Sequence, residues 1–379
     1  MFPLEEMAAR LARVRTAMAG DGIGALVVLA PDSQYWLCGL ESFISGVLSQ
    51  ALVVPLEGET TLVMWDADEP IARETAAVDR IRGYRFGVDD PVEAFRDALP
   101  SGAEVVGFDA GSRAVPHALG ARLVEALAPA RCIDCSALLA DARLVKSERE
   151  LDCLRRAGLF ADTGLRAALE HAQPGVTERK LAAEIEYAMR LAGSDYPSIP
   201  TELASGERSQ LVHGTPSHRV LEPGDLVHVE IGGVEQRYNA VGLQTFQVGG
   251  ATASPAGLRL YAVARRCLRA GLEAIRPEIE AREVEAPALE ILREEGLGDG
   301  FKMRFGYGVG AGYPPTWLDP FQITRTSTQQ LQPGVAFVLH ACLLDEPTRV
   351  GVVVGGTYAM TEVGVEQLAG AGPLDLVTT

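Results

Sequence analysis

Three histidines and a glutamate in the second half of the sequence have the types and settings of reacting groups. His213 stands in His213-Gly-Thr-Pro216, a loop ahead of two extended runs, 225–232 and 237–248, where a rigid sheet can present a loop side chain. An imidazole takes and returns a proton near neutral pH, so His213 is either a satisfied surface histidine or a general acid and base. Strand alternation puts His228 and Glu230 on one face and Val227, Val229 and Ile231 on the other. A carboxylate in so apolar a stretch is costly unless paired. Glu230 therefore either pairs with His228 or Arg237, or grips a cationic or N–H-bearing substrate, which a carboxylate does bidentately. His340 falls in the apolar run 335–343, which predicts a buried imidazole, either hydrogen-bonded in the core or in contact with substrate. Tyr238 and Tyr307 offer phenolic donors to a ligand or to a structural partner, and Trp317, after Tyr313-Pro-Pro315, either packs in the core or walls a pocket and stacks on a flat ligand. Phe43, in the Gly-rich stretch 39–50, reads as an exposed loop residue.

The elements that must position these residues follow from periodicity. Helical spacing of apolar residues runs over 3–18, and strands are expected at 24–29, 35–37, 51–55, 60–64 and 104–108, the third and fourth joined as a hairpin through Leu56-Glu-Gly-Glu59. This alternation is that of an α/β domain. Ser147 followed by Glu150 fits a capping box that starts a new helix running to 170, where Pro174-Gly175 stops the pattern. Thr177 caps the next helix, 178–191. The runs 225–232 and 237–248 form an antiparallel hairpin joined by Gly233-Val-Glu-Gln236. Helical spacing returns at 258–274 and 282–295, and strands at 306–312, 335–343 and 350–360. No low-complexity segment and no short-period repeat interrupts the chain.

Composition narrows the partners. The length of 379 residues suits two domains. With 51 acidic against 34 basic residues the net charge is −17, a field that repels phosphate backbones and anionic lipid. Nucleic acid and membrane are not expected partners, and the acidic start without an apolar stretch predicts a cytoplasmic protein. Only Cys132 and Cys135 of the six cysteines have C-x-x-C spacing. With no second pair or nearby His they read as ordinary reduced thiols.

Landmarks in the second half resemble the creatinase and aminopeptidase, or pita-bread, family: Arg143-Leu-Val-Lys-Ser-Glu-Arg-Glu150, Pro174-Gly-Val-Thr-Glu178, His213-Gly-Thr-Pro216, Leu221-Glu-Pro-Gly-Asp225, Val229-Glu-Ile-Gly232, Gly306-Tyr-Gly-Val-Gly310, Leu331-Gln-Pro-Gly334 and Met360-Thr-Glu-Val-Gly364. The whole chain resembles the two-domain creatinase and prolidase type. The resemblance implies an α/β N-terminal domain of the creatinase type, 1–145, and an α+β pita-bread catalytic domain, 146–379. It also implies a homodimer in which the N-terminal domain of one subunit closes the pocket of the other.

Most members of that family hold two metal ions through two Asp, one His and two Glu. Here the corresponding positions are Glu230, Val241, Tyr307 (or Val309), His340 and Gly355 or Gly356. One carboxylate and one imidazole are too few for a bimetal centre, so no metal and no cofactor are expected, and Val241 and Leu243 should floor the cavity with apolar side chains. Creatinase itself is metal-independent and uses a histidine at the position of His213. Its guanidinium-gripping carboxylates would fall on Leu243 and Gly355, which disfavours creatine. The ectoine hydrolase branch is the closer likeness, through His213-Gly-Thr-Pro216, Arg237-Tyr238, Gly312-Tyr-Pro-Pro-Thr-Trp317 and Tyr35-Trp-Leu-Cys-Gly-Leu-Glu-Ser-Phe43, although Gln244 replaces an Arg of that branch. The expected activity is metal-independent hydrolysis of a C–N bond in a small polar compound, a cyclic amidine of the ectoine type leading. His213 would be acid and base and Glu230 the substrate anchor, with His228, Tyr238, Tyr307, Trp317, His340 and Phe43 around the substrate. Two alternatives stand beside it: a cyclisation, dehydration or isomerisation on the same scaffold, and a non-catalytic binding module.

Overall fold

Short buried strands alternating with helices build the first unit, Met1–Arg143, in the computed structural model, which describes residues 2–298, 301–370 and 375–379. Its elements are α1 (Leu4–Gly20), β1 (Ala25–Val28), α2 (Pro31–Cys38), β2 (Ala51–Pro55), β3 (Thr61–Trp65), α3 (Glu69–Thr75), β4 (Arg80–Tyr84), α4 (Pro91–Arg96), β5 (Val105–Phe108), α5 (His117–Ala126), β6 (Arg131–Asp134) and α6 (Ser136–Leu144). The sheet runs β4-β3-β2-β1-β5-β6. Its central strand β1 pairs antiparallel with β2 and parallel with β5, and apolar clusters cover both faces.

The expected strand at 35–37 is helix instead. Pro31 in the first turn and Gly39 in the left-handed region at φ 76° fix the two ends of α2. Inside it the Gln34 amide donates to the carbonyls of Val28 and Gln50, so tertiary contacts override the β preference of Tyr35 and Trp36. Cys132 and Cys135 are free thiols, and burial pushes Cys135 up to about 11.

The second unit, Leu144–Thr379, is built twice. Its first half is α7 (Glu148–His171), α8 (Glu178–Ala192), β7 (Glu202–Ser205), β8 (Leu226–Glu235) and β9 (Tyr238–Gln247). Its second half is α9 (Pro255–Ala274), α10 (Ala281–Glu294), β10 (Gly306–Val309), β11 (Leu318–Ile323), β12 (Ala336–Asp345) and β13 (Val350–Thr361), followed by β14 (Gly364–Gln367). Serine side chains start the long helix of each half: Ser147 in a full capping box with Glu150, and Ser254 accepting from the Gly257 N–H. The turns Leu221-Glu-Pro-Gly224 and Leu331-Gln-Pro-Gly334 lead into ten-residue strands of matching position. Leu221 and Leu331 donate to the carbonyls of Val176 and Ile279, each just ahead of its half's second helix. A step of 110 residues therefore carries Leu221 to Leu331 and Glu230 to His340.

One continuous sheet joins the halves in the order β11-β10-β12-β13-β9-β8-β7, with β14 beside β13. Val227, Val229 and Ile231 of β8 pack with Leu165, Leu181 and Ile185 of α7 and α8, while Phe337, Leu339 and Ala341 of β12 pack with Leu260, Ala264 and Leu268 of α9. All four helices thus lie on one face, and the alternate residues face away from them. The β8–β9 turn is tighter than expected. The strands continue through Gly233 to Glu235, and only Gln236 and Arg237 turn, at φ 46° and 63°, the geometry of a two-residue type I′ hairpin. Arg237 tolerates that backbone because its buried guanidinium donates to Gly312 O, Tyr196 O and Ser198 Oγ and lies 3.9 Å over the Tyr196 ring.

At the seam between halves the strands β9 and β13 share one register pair, Leu243 with Gly355. On either side a threonine hydroxyl replaces ladder bonds. Thr245 Oγ1 donates to Val353 O (2.9 Å) and accepts from Val353 N (2.8 Å). Thr357 Oγ1 donates to Val241 O (3.0 Å) and accepts from Val241 N (2.7 Å). The two clasps are related as the halves are, and they let the sheet open at its middle without orphaned backbone groups.

Candidate active site

Register assembles the site. Residues paired across neighbouring strands project to the same face of a sheet. Glu202 pairs with Glu230, Glu230 with Leu243, Leu243 with Gly355 and Gly355 with His340. These five residues form one row across β7, β8, β9, β13 and β12, on the face that the helices leave uncovered.

Glu230 and His340, far apart in sequence, are linked by Tyr307. The Tyr307 hydroxyl donates to Glu230 Oε1 at 2.8 Å, and its ring meets the His340 ring edge-on at 5.7 Å. Trp317 donates through Nε1 to the same hydroxyl at 3.2 Å. Its indole lies on β8 because Gly232 has no side chain: a Cβ there would come within 2.9 Å of the ring. Burial and the neighbouring Glu230 raise the Tyr307 phenol well above its ordinary value, so it stays a donor.

The polar groups of this face are poorly satisfied. Glu202 Oε2 and both ring nitrogens of His340 have no hydrogen-bond partner among the described residues, and His340 is 2% exposed. Burial raises the carboxyl of Glu202, and the charge of Glu230 raises it further. Burial likewise raises Glu230, opposed by the Tyr307 hydrogen bond. Two carboxylates side by side cannot both ionise cheaply, so the pair retains a proton above the ordinary carboxylate range. Burial first, and then the charges of Arg304 and His213, lower His340 to about 4. It is a neutral imidazole at pH 7, able to accept one hydrogen bond and donate another.

His213 lies on the loop between the 3-10 turn Gly206–Gln210 and β8, and is exposed. Glu178 at the start of α8 holds that loop. Its Oε1 accepts from Ser205 N and Oγ at 2.9 and 2.7 Å, and its Oε2 from Ser217 N and Oγ at 2.9 and 2.6 Å and from Arg208 Nε at 3.1 Å. Burial would raise this carboxyl, but the bonds from Ser217 and Ser205 hold it below its ordinary value. It is the fully buried anchor on both sides of His213.

The structure thus brings Glu230, Tyr307, Trp317 and His340 together, with His213 close enough to act electrostatically on His340. It separates others. Tyr238 is fully buried and its hydroxyl donates to Glu150 Oε1 at 2.6 Å; read as a substrate contact, it is instead committed to the capping box of α7. His228 shares the face of Glu230 but lies in the next row, opposite Ala204 and Thr245. Burial lowers it to about 4 against the opposing pull of Glu178, and its Nε2 is unpartnered among the described residues. Glu230 pairs with neither His228 nor Arg237. Phe43 belongs to the first unit, where it opens the turn Phe43–Gly46 and is 71% exposed. Sequence reasoning missed Glu202, Glu178 as an anchor, and the two threonine clasps. Glu202 had one available sign, a charged residue beside the apolar pair Leu203-Ala204.

The metal pair implied by the fold does not fit these residues. Val241 and Gly355 offer no donor side chain, and the Tyr307 hydroxyl is committed to Glu230. A Cβ at Gly355 would lie 2.6 Å from that of His340, leaving no room for a carboxylate unless the strands move. No three His, Cys, Asp or Glu side chains among the described residues converge so as to hold a metal ion.

A six-stranded α/β unit followed by a doubled helix-and-hairpin unit with polar residues along one sheet face defines a two-domain pita-bread hydrolase. The chain belongs to metallopeptidase family M24, whose model matches residues 152–362, and residues 10–145 match the creatinase/prolidase N-terminal domain. It is 26% identical to the Xaa-Pro dipeptidase of Pyrococcus furiosus, over 96% of this chain and 98% of that one. It is 28% identical to the ectoine hydrolase of Halomonas elongata, over 97% and 96%. The crystal structure of dipeptidase PepE from Mycobacterium ulcerans superimposes with a TM-score of 0.86 at 27% identity, over 100% of this chain and 99% of that one. Among the described residues no helix is long and apolar enough to cross a membrane.

Proposed function

We propose that this M24 hydrolase cleaves a C–N bond in a small N–H-bearing compound without a metal, with a cyclic amidine of the ectoine type as the leading substrate. The observation that carries this reading is the row Glu230–Leu243–Gly355–His340. Its centre, Leu243 and Gly355, is apolar and leaves the implied ligand position at Gly355 without a donor, while its flanks keep one carboxylate and one neutral imidazole. Glu230, steadied by Tyr307 at one oxygen, accepts the amidinium N–H groups. His213 takes a proton from water as the oxygen bonds to the amidine carbon, and returns it to the nitrogen whose bond to that carbon breaks. Dipeptide cleavage of the kind that names the Xaa-Pro relatives is disfavoured by the same row, which has no donor set for the ions of a metallopeptidase.

The test is an NMR assay of ring opening of ectoine and related cyclic amidines in excess chelator, beside an Xaa-Pro dipeptide panel with added Mn²⁺ or Zn²⁺. Ring opening that chelator leaves intact is expected. Dipeptide cleavage that requires added metal, with no amidine turnover, would overturn the reading. Because His213 is exposed, we extend the proposal to a two-fold dimer in which the turn bearing Phe43 closes the partner's site. Light scattering that gives a monomer at micromolar concentration would remove that extension.

A further inference from the structure

We infer that Glu202 is a second substrate-gripping carboxylate: with Glu230 it forms a fork for a small planar cation that bears N–H groups on two edges, an amidinium or guanidinium. The inference rests on the cation-binding reading of Glu230 and adds to it a residue and a requirement on the ligand.

Glu202 is placed by β7, the edge strand of the first half, directly opposite Glu230. Side chains so paired have Cβ atoms about 5 Å apart, a spacing at which two carboxylates can flank one planar cation. Glu230 has one oxygen occupied by Tyr307, and Glu202 has an oxygen, Oε2, with no partner among the described residues although the residue is only 9% exposed. A buried orphan acceptor is costly where nothing fills it. Among the described residues the second half offers no equivalent. The main chain of Phe305 stands opposite His340 and accepts its backbone N–H at 3.0 Å, so the side-chain fork lies at the acidic end of the row.

An independent feature points to the same ligand. His340 is 2% exposed with both ring nitrogens unpartnered among the described residues, on the same face and edge-on to the tyrosine that holds Glu230. A ligand with N–H on one edge for the fork and a further N–H or carbonyl for one imidazole nitrogen would satisfy two of these three orphan atoms together. A neutral amide would satisfy the imidazole but leave the carboxylate charge uncompensated. A monovalent alkylammonium presents its donors from one point and cannot bridge the two carboxylates as a planar cation does.

The probes are acetamidinium, its neutral isostere acetamide, and methylammonium, titrated by calorimetry or by protein NMR into the wild type, Glu202→Gln and Glu230→Gln. Wild type should prefer acetamidinium over both controls, and Glu202→Gln should weaken acetamidinium by about 10- to 100-fold, the range for a lost charge-assisted hydrogen bond. Should Glu202→Gln not fold, as judged by circular dichroism, Glu202→Asp replaces it: shortening the arm should cost about 3- to 10-fold while the charge is kept. If Glu230→Gln abolishes binding and the Glu202 variants bind within two-fold of wild type, the fork is wrong and the Glu230 reading survives. If wild type does not prefer acetamidinium over acetamide, the fork falls together with the reading it rests on.

Discussion

The two halves of the second unit follow one plan, and they have diverged at the places where chemistry happens. Each half has a serine-capped long helix, a second helix beyond a short bridge, a Leu-x-Pro-Gly turn and a ten-residue strand. Their seam shows how closely they correspond, since Thr245 and Thr357 make the same paired bonds to Val353 and Val241. Yet at equivalent points of the row the first half carries Glu230 and the second His340, and the first half's edge strand adds Glu202 where the second half presents Phe305 backbone. Backbone satisfaction is kept in both halves. The side chains of the uncovered face are free to differ because the fold does not depend on them, and the outcome is an acidic end and an imidazole end. A bimetal site needs donors from both halves at the centre, and Val241 in the first half and Gly355 in the second supply none.

The sharpest break of this asymmetry is functional. Glu230→Gln removes the charge at the acidic end, and His213→Ala removes the proposed proton carrier. His213→Ala should cut turnover by about 10²- to 10⁴-fold with little change in KM, the range for a lost general acid and base. Glu230→Gln should weaken binding and turnover together, because the amide cannot form the charged bidentate pair. Steady-state kinetics on a cyclic amidine separates the two. Near wild-type values for both variants would remove the mechanism and leave the row without a catalytic role.

The asymmetry was only partly legible in the sequence. The capping box at Ser147, the helices and the β8–β9 hairpin follow from local patterning, which depends on neighbours a few residues away. The shared face of His228 and Glu230 follows from the period of a strand. Glu202 left only a charge beside Leu203-Ala204 for a different reason: what matters about it is its register opposite Glu230, 28 positions later, and no local period reports strand partners. Residues 35–37 failed in the opposite sense, because a β-like aromatic pair is held in α2 by Pro31, Gly39 and the Gln34 amide. Tyr238 showed its chemical type but not its partner, Glu150, which lies in another element. The doubling left one trace, the pair of Leu-x-Pro-Gly turns, while the equivalence of Glu230 and His340 hides behind their different chemistry.

A smaller effect tests the likeness of the halves. Thr245→Val and Thr357→Val keep side-chain shape but remove the hydroxyl, and each leaves one backbone N–H and one carbonyl without their partner at the seam. Each should cost about 1–3 kcal/mol in denaturant unfolding. If the halves are equivalent in energy as well as geometry, the two costs should agree within about 0.5 kcal/mol, the spread of single hydrogen-bond contributions. A loss for one variant only would show that a single half carries the seam.

The smallest effect concerns stability at the acidic end and has a definite sign. Glu202 is raised in the folded protein by burial and by Glu230. The unfolded chain therefore loses this proton at ordinary carboxylate pH, while the folded chain keeps it to higher pH. Below the unfolded value the group is neutral in both states and costs nothing. As pH rises through the window between the two values the folded state binds more protons than the unfolded state, so stability falls, and the full cost is present above the folded value. Glu202→Gln removes this cost, and Oε2 has no hydrogen bond to lose among the described residues. The variant should match wild type near pH 4 and become more stable as pH rises, by about 1–2 kcal/mol in mildly alkaline buffer. Thermal unfolding of both proteins across pH 4 to 9 reads this directly. A stability difference that does not change with pH, or that favours wild type as pH rises, would mean that Glu202 is not held against its charge and that the acidic end is no more strained than the imidazole end.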